Sequence, residues 1–225
     1  MDAFEVLLKS SAAAHGHLCP GQVVGVRMAM LGCRLIGLDE PKRRDQIKKL
    51  IIYVEMDRCT ADAVAHVTGV KLGRRSLKFK DYGIMAATFV NLETGKAFRV
   101  LSAEEARSLT DAYAPEIADK YARQLDAYRR MPDSVLFRVQ QVKVEIDDCE
   151  LPGPTRYKVP CSRCGQMVRD RREVIKNGET LCKPCAEDTY FSEAREVTWP
   201  NMNWTPEISL MHSSQDAKIT ETNCY

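Results

Sequence analysis

Two closely spaced cysteine pairs near the carboxyl end constrain this chain more than any other feature. They are Cys161 with Cys164 and Cys182 with Cys185, in the spacing C-x2-C-x17-C-x2-C. Each pair places two thiolates on one tight turn, and four thiolates form the ligand set of a tetrahedral Zn²⁺ site. Because protein side chains fill all four positions, the pattern predicts a structural rather than a catalytic zinc. Two disulfides or a redox pair are the alternatives, but the doubled spacing without a thioredoxin-like βαβ context favours zinc.

The residues between and after the cysteine pairs predict the shape of this zinc module. Asn177-Gly178 is a hairpin-turn dipeptide with apolar residues on both sides. The stretch after Cys182 predicts a short helix that carries the last ligand. A cysteine pair, a hairpin and a second pair at a helix start form a treble-clef arrangement. Eight basic residues against three acidic ones over 156–185 make the module locally basic, so nucleic-acid binding is an alternative that we rank below a role in solubility.

The composition excludes several broad classes of protein. The chain has 225 residues, 44% hydrophobic and 28% charged, which is typical of globular proteins. A formal net charge of +2 argues against a globally basic nucleic-acid binder. The nine cysteines are odd in number and unevenly placed, which indicates a reducing compartment with some thiols on metal. The amino terminus lacks a basic signal-peptide region and charges interrupt the longest apolar stretch, so we expect a cytoplasmic protein that does not span a membrane.

Pro152-Gly153-Pro154 predicts a linker, because two prolines around a glycine continue neither a helix nor a sheet. We therefore expect three regions, a core domain, the zinc module and a tail, at 1–150, 151–190 and 191–225. Both tryptophans, Trp199 and Trp204, lie in the tail. We expect the tail to strap onto a domain surface, because exposed indole rings are costly in water.

Hydrophobic periodicity in the core predicts helices and strands without a regular βαβ rhythm, which is typical of an α+β domain. The expected helices cover 2–13, 20–35, 60–68, 103–113 and 116–130. The expected strands cover 50–55, 84–92, 96–101 and 137–146. In the second helix, small residues recur every fourth position and predict a ridge for close helix packing, inside the core or across a dimer. These small residues are Gly21, Gly25, Ala29 and Cys33.

A second group of candidate ligands lies near the amino end, in the segment His15-Gly-His17-Leu-Cys19. Alternate residues of an extended segment point to the same side, so we expect these three side chains to converge. Pro20 predicts that a helix begins directly after Cys19. The free N–H groups and the dipole at that helix start would stabilise the Cys19 thiolate.

Cys59 occupies a similar position, between a buried strand and a helix. Together with His15, His17 and Cys19 it forms a possible second metal site, for which Zn²⁺ suits the nitrogen and sulfur donors and Fe, Ni or Cu are the alternatives. Asp62 is a candidate to orient a ligand or to move protons, and with Cys19 and Cys59 it completes the candidate catalytic set. Alternatively, the histidines cap a helix and Cys59 is a small buried apolar residue.

A run of basic residues surrounds Gly69 and Gly73. It predicts either an anion cradle beside the His/Cys group or a solvated loop, and we favour the loop. No Walker-type phosphate-binding motif is present. The basic residues of this run are Lys71, Arg74, Arg75, Lys78 and Lys80.

Taken together, these motifs resemble the FmdE-like family, which takes its name from a subunit of formylmethanofuran dehydrogenase, over about residues 10–145. The motifs that carry the resemblance are His15–Gly21, Gly25, Arg27, Glu55, Cys59–Ala63, Thr68-Gly69, Leu72-Gly73, Asp81–Gly83 and Ala86–Phe89. The zinc module separately resembles the TraR/DksA-type treble-clef finger. Many relatives have a cysteine after Thr-Gly, whereas this chain has Val70, so a redox cycle that needs that thiol is not expected here.

The resemblance implies an α+β core, a homodimer, and a metal or active site near the His/Cys segment and Cys59. It also implies association with the molybdenum or tungsten enzyme that reduces CO₂ onto methanofuran in methanogens. Our hypothesis is a two-metal accessory subunit or small enzyme in C1 or redox metabolism. The alternatives are a nucleic-acid-associated regulator acting through Arg169, Arg171 and Arg172 of the finger, and a metal chaperone or sensor with a labile core metal.

Overall fold

The computed structural model describes residues 3–195. The tail expected at 191–225, with Trp199 and Trp204, lies outside the described residues except for 191–195. The helices are α1 (Phe4–His15), α2 (Pro20–Leu35), α3 (Arg44–Ile47), α4 (Cys59–Thr68), α5 (Glu105–Ser108), α6 (Thr110–Tyr113), α7 (Lys120–Arg130), α8 (Asp133–Leu136) and α9 (Lys183–Ala186). The strands are β1 (Leu50–Val54), β2 (Leu77–Phe79), β3 (Ala86–Asn91), β4 (Ala97–Ser102), β5 (Phe137–Gln141), β6 (Lys158–Pro160), β7 (Met167–Arg169), β8 (Val174–Lys176) and β9 (Glu179–Leu181).

The core is an α+β domain built on one five-stranded sheet. The strand order is β2-β1-β3-β4-β5, in which β1 and β2 are parallel and the other pairs are antiparallel. Strand β1 lies inside the sheet and is buried along its whole length, which explains its unbroken apolar sequence. The helix α4 makes the crossover from β1 to β2, and the hairpin expected at 84–101 is the β3–β4 pair.

The two faces of the sheet are covered differently. Leu50, Ile52 and Val54 of β1 belong to the main core, which also contains apolar residues of α1, α2, α4 and α7. Ile51 and Tyr53 point to the other face, where apolar side chains of the 142–151 segment cover them. The helices therefore lie on one face, and the chain that leads to the finger closes the opposite face.

Helices α2 and α4 pack so closely that two glycines of α2 have no room for a side chain. A Cβ on Gly25 would lie 2.6 Å from Ala63 Cβ and 2.7 Å from the Thr60 carbonyl oxygen. A Cβ on Gly21 would lie 2.9 Å from the Cβ of Cys59. The predicted small-residue ridge therefore packs against α4 inside the core.

Arg27 joins α2 to the α7–α8 region. Its Nη1 donates to the carbonyl oxygens of Tyr128 (2.7 Å) and Met131 (2.5 Å), and its Nη2 lies 2.6 Å from an Asp133 carboxylate oxygen. The guanidinium satisfies carbonyls at the end of α7, where no further helix N–H reaches them. Arg27, one of the residues that carry the family resemblance, thus has a structural place in the fold.

Several element boundaries differ from the sequence-based expectation. The helix expected at 103–113 is two single turns, α5 and α6, and the strand expected at 137–146 ends at Gln141. The helix expected from 116 begins at Lys120, because the Asp119 side chain accepts a hydrogen bond from the Ala122 N–H and caps it there. The sequence pattern predicts neither α3 nor β2; β2 is only three residues long and lies inside the basic run.

The finger contains two short hairpins followed by α9. The second hairpin turns at Asn177 and Gly178, whose φ angles of 53° and 80° are those of the tight turn that the Asn-Gly dipeptide predicts. The Ser162 N–H donates to the Thr180 carbonyl oxygen and links the first cysteine pair to the second hairpin. The order cysteine pair, hairpin, cysteine pair at a helix start is therefore the one that the spacing predicts.

The basic run contacts the finger and the chain that leads to it. Arg75 Nη1 lies 2.8 Å from the buried Asp170 carboxylate of the finger, and Lys78 Nζ donates to the Glu150 carbonyl oxygen (2.6 Å). Part of the predicted solvated loop thus holds the finger against the core. Over residues 3–195, none of the helices is both apolar enough and long enough to cross a bilayer.

Replacing Gly25 by alanine should destabilise the core by about 1–3 kcal/mol, because the new methyl group has no space against α4. Equilibrium urea unfolding followed by circular dichroism measures this. Gly73→Ala is the matched control: nothing lies within 4 Å of a Cβ at that position, so its unfolding midpoint should stay close to that of the unmodified chain. Equal midpoints for both variants would contradict the close packing of α2 on α4.

Candidate metal centres

The four finger cysteines lie together. Their sulfur atoms are all within 4.8 Å of one another, and the Sγ atoms of Cys164 and Cys182 are 3.7 Å apart. The backbone N–H groups of Cys182 and Cys164 lower the pKa of Cys161 to about 6, whereas neighbouring thiols, Cys182 first, raise the pKa of Cys185 to about 12. Without a cation the site thus stabilises one thiolate and opposes a fourth. A bound Zn²⁺ supplies the positive charge that allows all four to ionise.

Three side chains form the candidate centre in the core. The donor atoms of His15, His17 and Cys19 all lie within 4.8 Å of one another, and the two imidazole rings are 4.8 Å apart between centroids. The expected convergence occurs, but not by strand alternation. His15 is the last residue of α1, and Gly16 turns the chain with a φ of 100°, in the left-handed region that favours glycine.

The His15 ring has one nitrogen held and one nitrogen free. Its Nδ1 lies 2.9 Å from the Asp62 carboxylate on α4, which accepts the Nδ1–H hydrogen bond. Its Nε2 is buried and has no hydrogen-bond partner within the described part of the chain. A carboxylate on one ring nitrogen and an open lone pair on the other is the arrangement of a metal-ligating histidine.

Cys19 occupies the position expected of it, immediately before α2, with a different electrostatic result. Burial raises the pKa of the Cys19 thiol, and the neighbouring Cys59 thiol raises it further. The N–H groups of Gln22 and Gly21 at the helix start lower the pKa, as expected, but by less. The metal-free site therefore keeps the Cys19 thiol protonated, which corrects the expectation that the helix start alone stabilises the thiolate.

Cys59 lies beside Cys19 without joining the three-residue cluster. It is the first residue of α4 and partly exposed, and its donor atom is outside the set that lies within 4.8 Å. Gln22 fixes this helix start: its Nε2 donates to the Cys59 carbonyl oxygen (2.8 Å), and its Oε1 accepts a hydrogen bond from the Ser11 hydroxyl (2.6 Å). Gln22 is fully buried.

Sequence reasoning missed Gln22 and Tyr121. The signal for Gln22 was a lone amide among the apolar residues at the start of α2. Tyr121, at the start of α7, donates from its hydroxyl to the Leu18 carbonyl oxygen (3.1 Å), between two candidate ligands. Burial and the nearby thiols of Cys19 and Cys59 raise the pKa of Tyr121. No sequence pattern connects two positions 103 residues apart.

Other residues singled out in the sequence lie elsewhere. His66 Nε2 is 3.0 Å from the Ser10 hydroxyl and links α4 to α1. Cys33 is fully buried on the packing ridge of α2, and burial raises the pKa of its thiol to about 12. Cys149 is buried near the linker. The remaining cysteine, Cys224, lies outside the described residues.

The family described as "FmdE, Molybdenum formylmethanofuran dehydrogenase operon" matches residues 14–138, which is more than half of the chain. The chain belongs to the FmdE family. A second family, the prokaryotic dksA/traR C4-type zinc finger, matches residues 153–191. This match and the four clustered sulfur atoms support a structural zinc on Cys161, Cys164, Cys182 and Cys185.

Two individual proteins are similar to this FmdE-family chain. A probable S-adenosyl-L-methionine-binding protein of Archaeoglobus fulgidus is 27% identical over 206 residues, which cover 85% of this chain and 55% of the relative. The chain thus spans little more than half the length of that relative. The crystal structure of an FmdE-like protein of the tungsten formylmethanofuran dehydrogenase type, from Syntrophus aciditrophicus, superposes with a TM-score of 0.55 at 18% identity, covering 84% of this chain and 95% of the other. This superposition shows a shared fold.

Asp62→Asn should weaken metal binding at the core centre by about 10- to 100-fold, because the amide holds the His15 ring less firmly than the carboxylate does. Competition with a zinc-binding dye measures the affinity. Asp57→Asn, an exposed change just before α4, is the control and should leave the affinity unchanged. Equal affinities for the unmodified chain and both variants would contradict the role of Asp62 as the support of a ligand.

Proposed function

We propose that this protein binds two metal ions, a structural zinc in the finger and a second metal in the FmdE-type core. The core metal is held by His15, His17 and Cys19, with Cys59 as the fourth candidate ligand. The buried, unpartnered Nε2 of His15 is the observation that carries the proposal. A buried imidazole nitrogen without a partner is costly, and a metal ion in contact with it removes that cost.

The donor set favours zinc in the core. Two imidazoles and one or two thiolates combine borderline and soft donors, which suit Zn²⁺. Iron, nickel and copper accept the same donors and are the alternatives. The raised pKa of Cys19 in the metal-free site fits this role, since a metal that displaces the thiol proton then binds more weakly at low pH.

The core centre differs from the finger in its access to solvent. His17 is exposed, Cys19 is buried, and three donors rather than four lie in close range. A site with three protein ligands leaves a coordination position for water or substrate. When bound, a metal there would act as a Lewis acid toward a water molecule, a thiol or a carbonyl group.

The surrounding residues have separate tasks in this proposal. Asp62 holds the Nδ1 proton of His15 and keeps Nε2 directed to the metal. Tyr121 fixes the peptide between His17 and Cys19 through the Leu18 carbonyl. Cys59, beside Cys19, is positioned either as a fourth ligand or as a thiol that reacts with substrate. The catalytic set predicted from the sequence, Cys19, Cys59 and Asp62, keeps these roles as part of the proposal.

The cellular role that we propose is an accessory subunit or small enzyme linked to formylmethanofuran dehydrogenase or to related C1 or redox metabolism. The support is the family description and the name of the similar Syntrophus protein. The Archaeoglobus relative is named for another carrier of a one-carbon group, S-adenosyl-L-methionine. The proposed partners are dehydrogenase subunits and a second copy of this chain, in the cytoplasm.

Metal analysis of the purified full chain tests the two-metal proposal. We expect about two zinc ions per chain, and about one after Cys19→Ala, because the core loses its buried thiolate ligand. Elemental mass spectrometry after anaerobic purification measures the ratio. The matched control is Cys33→Ala, which removes a buried thiol from the same helix and should keep both ions. A ratio of one in the unmodified chain, or no loss in Cys19→Ala, would contradict the core site.

A further inference from the structure

An open cleft of about 460 Å³ lies where the finger meets the core. The finger supplies most of its wall, from β7, the turn after it and the start of α9, and the core supplies Arg75. The residues that line the cleft are Arg75, Gln166, Met167, Val168, Arg169, Asp170, Arg172, Cys182, Lys183 and Pro184. The cleft shares no residue with the His/Cys centre of the core.

Four cationic side chains surround this cleft, and much of their hydrogen-bonding capacity is unused. Arg169 and Lys183 make neither a hydrogen bond nor an ion pair through their side chains with any residue of the 3–195 range, and Nη2 of Arg75 has no partner there either. Arg172 donates from Nη1 to the Asp170 carbonyl oxygen, and its Nη2 is 3.9 Å from Glu150. Guanidinium groups with free donors bind phosphate oxygens in a two-pronged geometry.

Among the described residues that line the cleft, the single acidic one is already engaged. One Asp170 carboxylate oxygen pairs with Arg75 at 2.8 Å, and the other accepts the Arg156 N–H at 2.9 Å. The four cations therefore exceed the acid in the wall by three charges. A zinc ion with four thiolates adds a charge of −2 beside the cleft, at Cys182, and an excess of positive charge still remains.

The contact between the two walls is rigid. Arg75 and Asp170 both have left-handed backbone angles, with φ of 61° and 55°, which a non-glycine residue adopts only when its surroundings hold it there. Their ion pair is nearly enclosed, with side chains 16% and 7% exposed. A cation fixed in this way loses little freedom when an anion binds, so binding costs less entropy.

The cleft also has an apolar side. Met167, Val168 and Pro184 line it next to the cations. A volume of about 460 Å³ is within the range of small-molecule sites. Cations beside an apolar surface fit a phosphorylated molecule with a flat organic group better than they fit a bare anion.

Elsewhere on the finger, three basic side chains are engaged in contacts. Arg163 donates to the Cys185 carbonyl oxygen, Lys176 to the Ala186 carbonyl oxygen, and Arg171 pairs with Asp147. The free cations are therefore concentrated in one cleft and do not form a continuous stripe across the described part of the finger. A stripe is what binding along a nucleic-acid backbone requires.

We propose that the cleft between finger and core binds a small phosphorylated molecule of nucleotide size. The phosphates contact Arg75, Arg169, Arg172 and Lys183, and the organic group lies against Met167 and Pro184. This site is independent of the core metal, so either proposal can fail without the other.

Titration of the zinc-loaded full chain with fluorescent ADP at low salt tests this proposal, with unlabelled adenosine and single-stranded DNA as competitors. We expect ADP to bind and adenosine not to compete. The double change Arg169→Gln with Lys183→Gln should weaken binding at least about tenfold, because each removes a charge-assisted contact. The matched control, Lys96→Gln with Lys143→Gln, removes the same charge from exposed core positions and should bind ADP as before.

Three results would overturn the proposal. One is no ADP binding at low salt by a chain that holds its finger zinc. Another is an equal loss of affinity in the control variant, which would reveal unspecific charge attraction. The third is binding of single-stranded DNA, weakened by the cleft variant, with no binding of ADP, which would assign the cleft to nucleic acid instead.

Discussion

The close contact between α2 and α4 places the candidate ligands of the core. Gly21 and Gly25 leave no space for a side chain, so the two helices meet backbone to backbone near their amino ends. Cys19 stands just before one helix and Cys59 begins the other, which brings two thiols from distant parts of the sequence side by side. The same contact carries Asp62 of α4 to the His15 ring. Helix packing and ligand support are therefore one property of this fold.

The two cysteine groups solve the same electrostatic problem in different surroundings. In the finger, backbone N–H groups lower the pKa of Cys161 while crowding raises that of Cys185, so a divalent ion is needed to hold four thiolates together. In the core, burial outweighs the helix start and raises the pKa of Cys19. The finger is a closed set of four sulfur ligands, whereas the core mixes imidazoles with thiols and leaves His17 exposed. This difference is why we assign structure to the finger and chemistry to the core.

The features that the sequence predicts well are those fixed by local spacing. The finger follows from its cysteine pairs and the Asn177-Gly178 turn, and the start of α2 follows from Pro20. Features that depend on distant contacts were not predictable. The Asp62 contact with His15, the Gln22 bond to the Cys59 carbonyl and the approach of Tyr121 all join separate elements. The place of Arg75 against the finger likewise depends on how two modules meet.

The central claim is that the core holds a metal ion of its own beside the zinc of the finger. The most direct measurement is a map of anomalous scattering at the zinc absorption edge, from crystals of the anaerobically purified full chain. We expect two peaks, one among the four finger cysteines and one between His15, His17 and Cys19. A single peak in the finger, with ordered His15 and Cys19 side chains around an empty space, would contradict the claim.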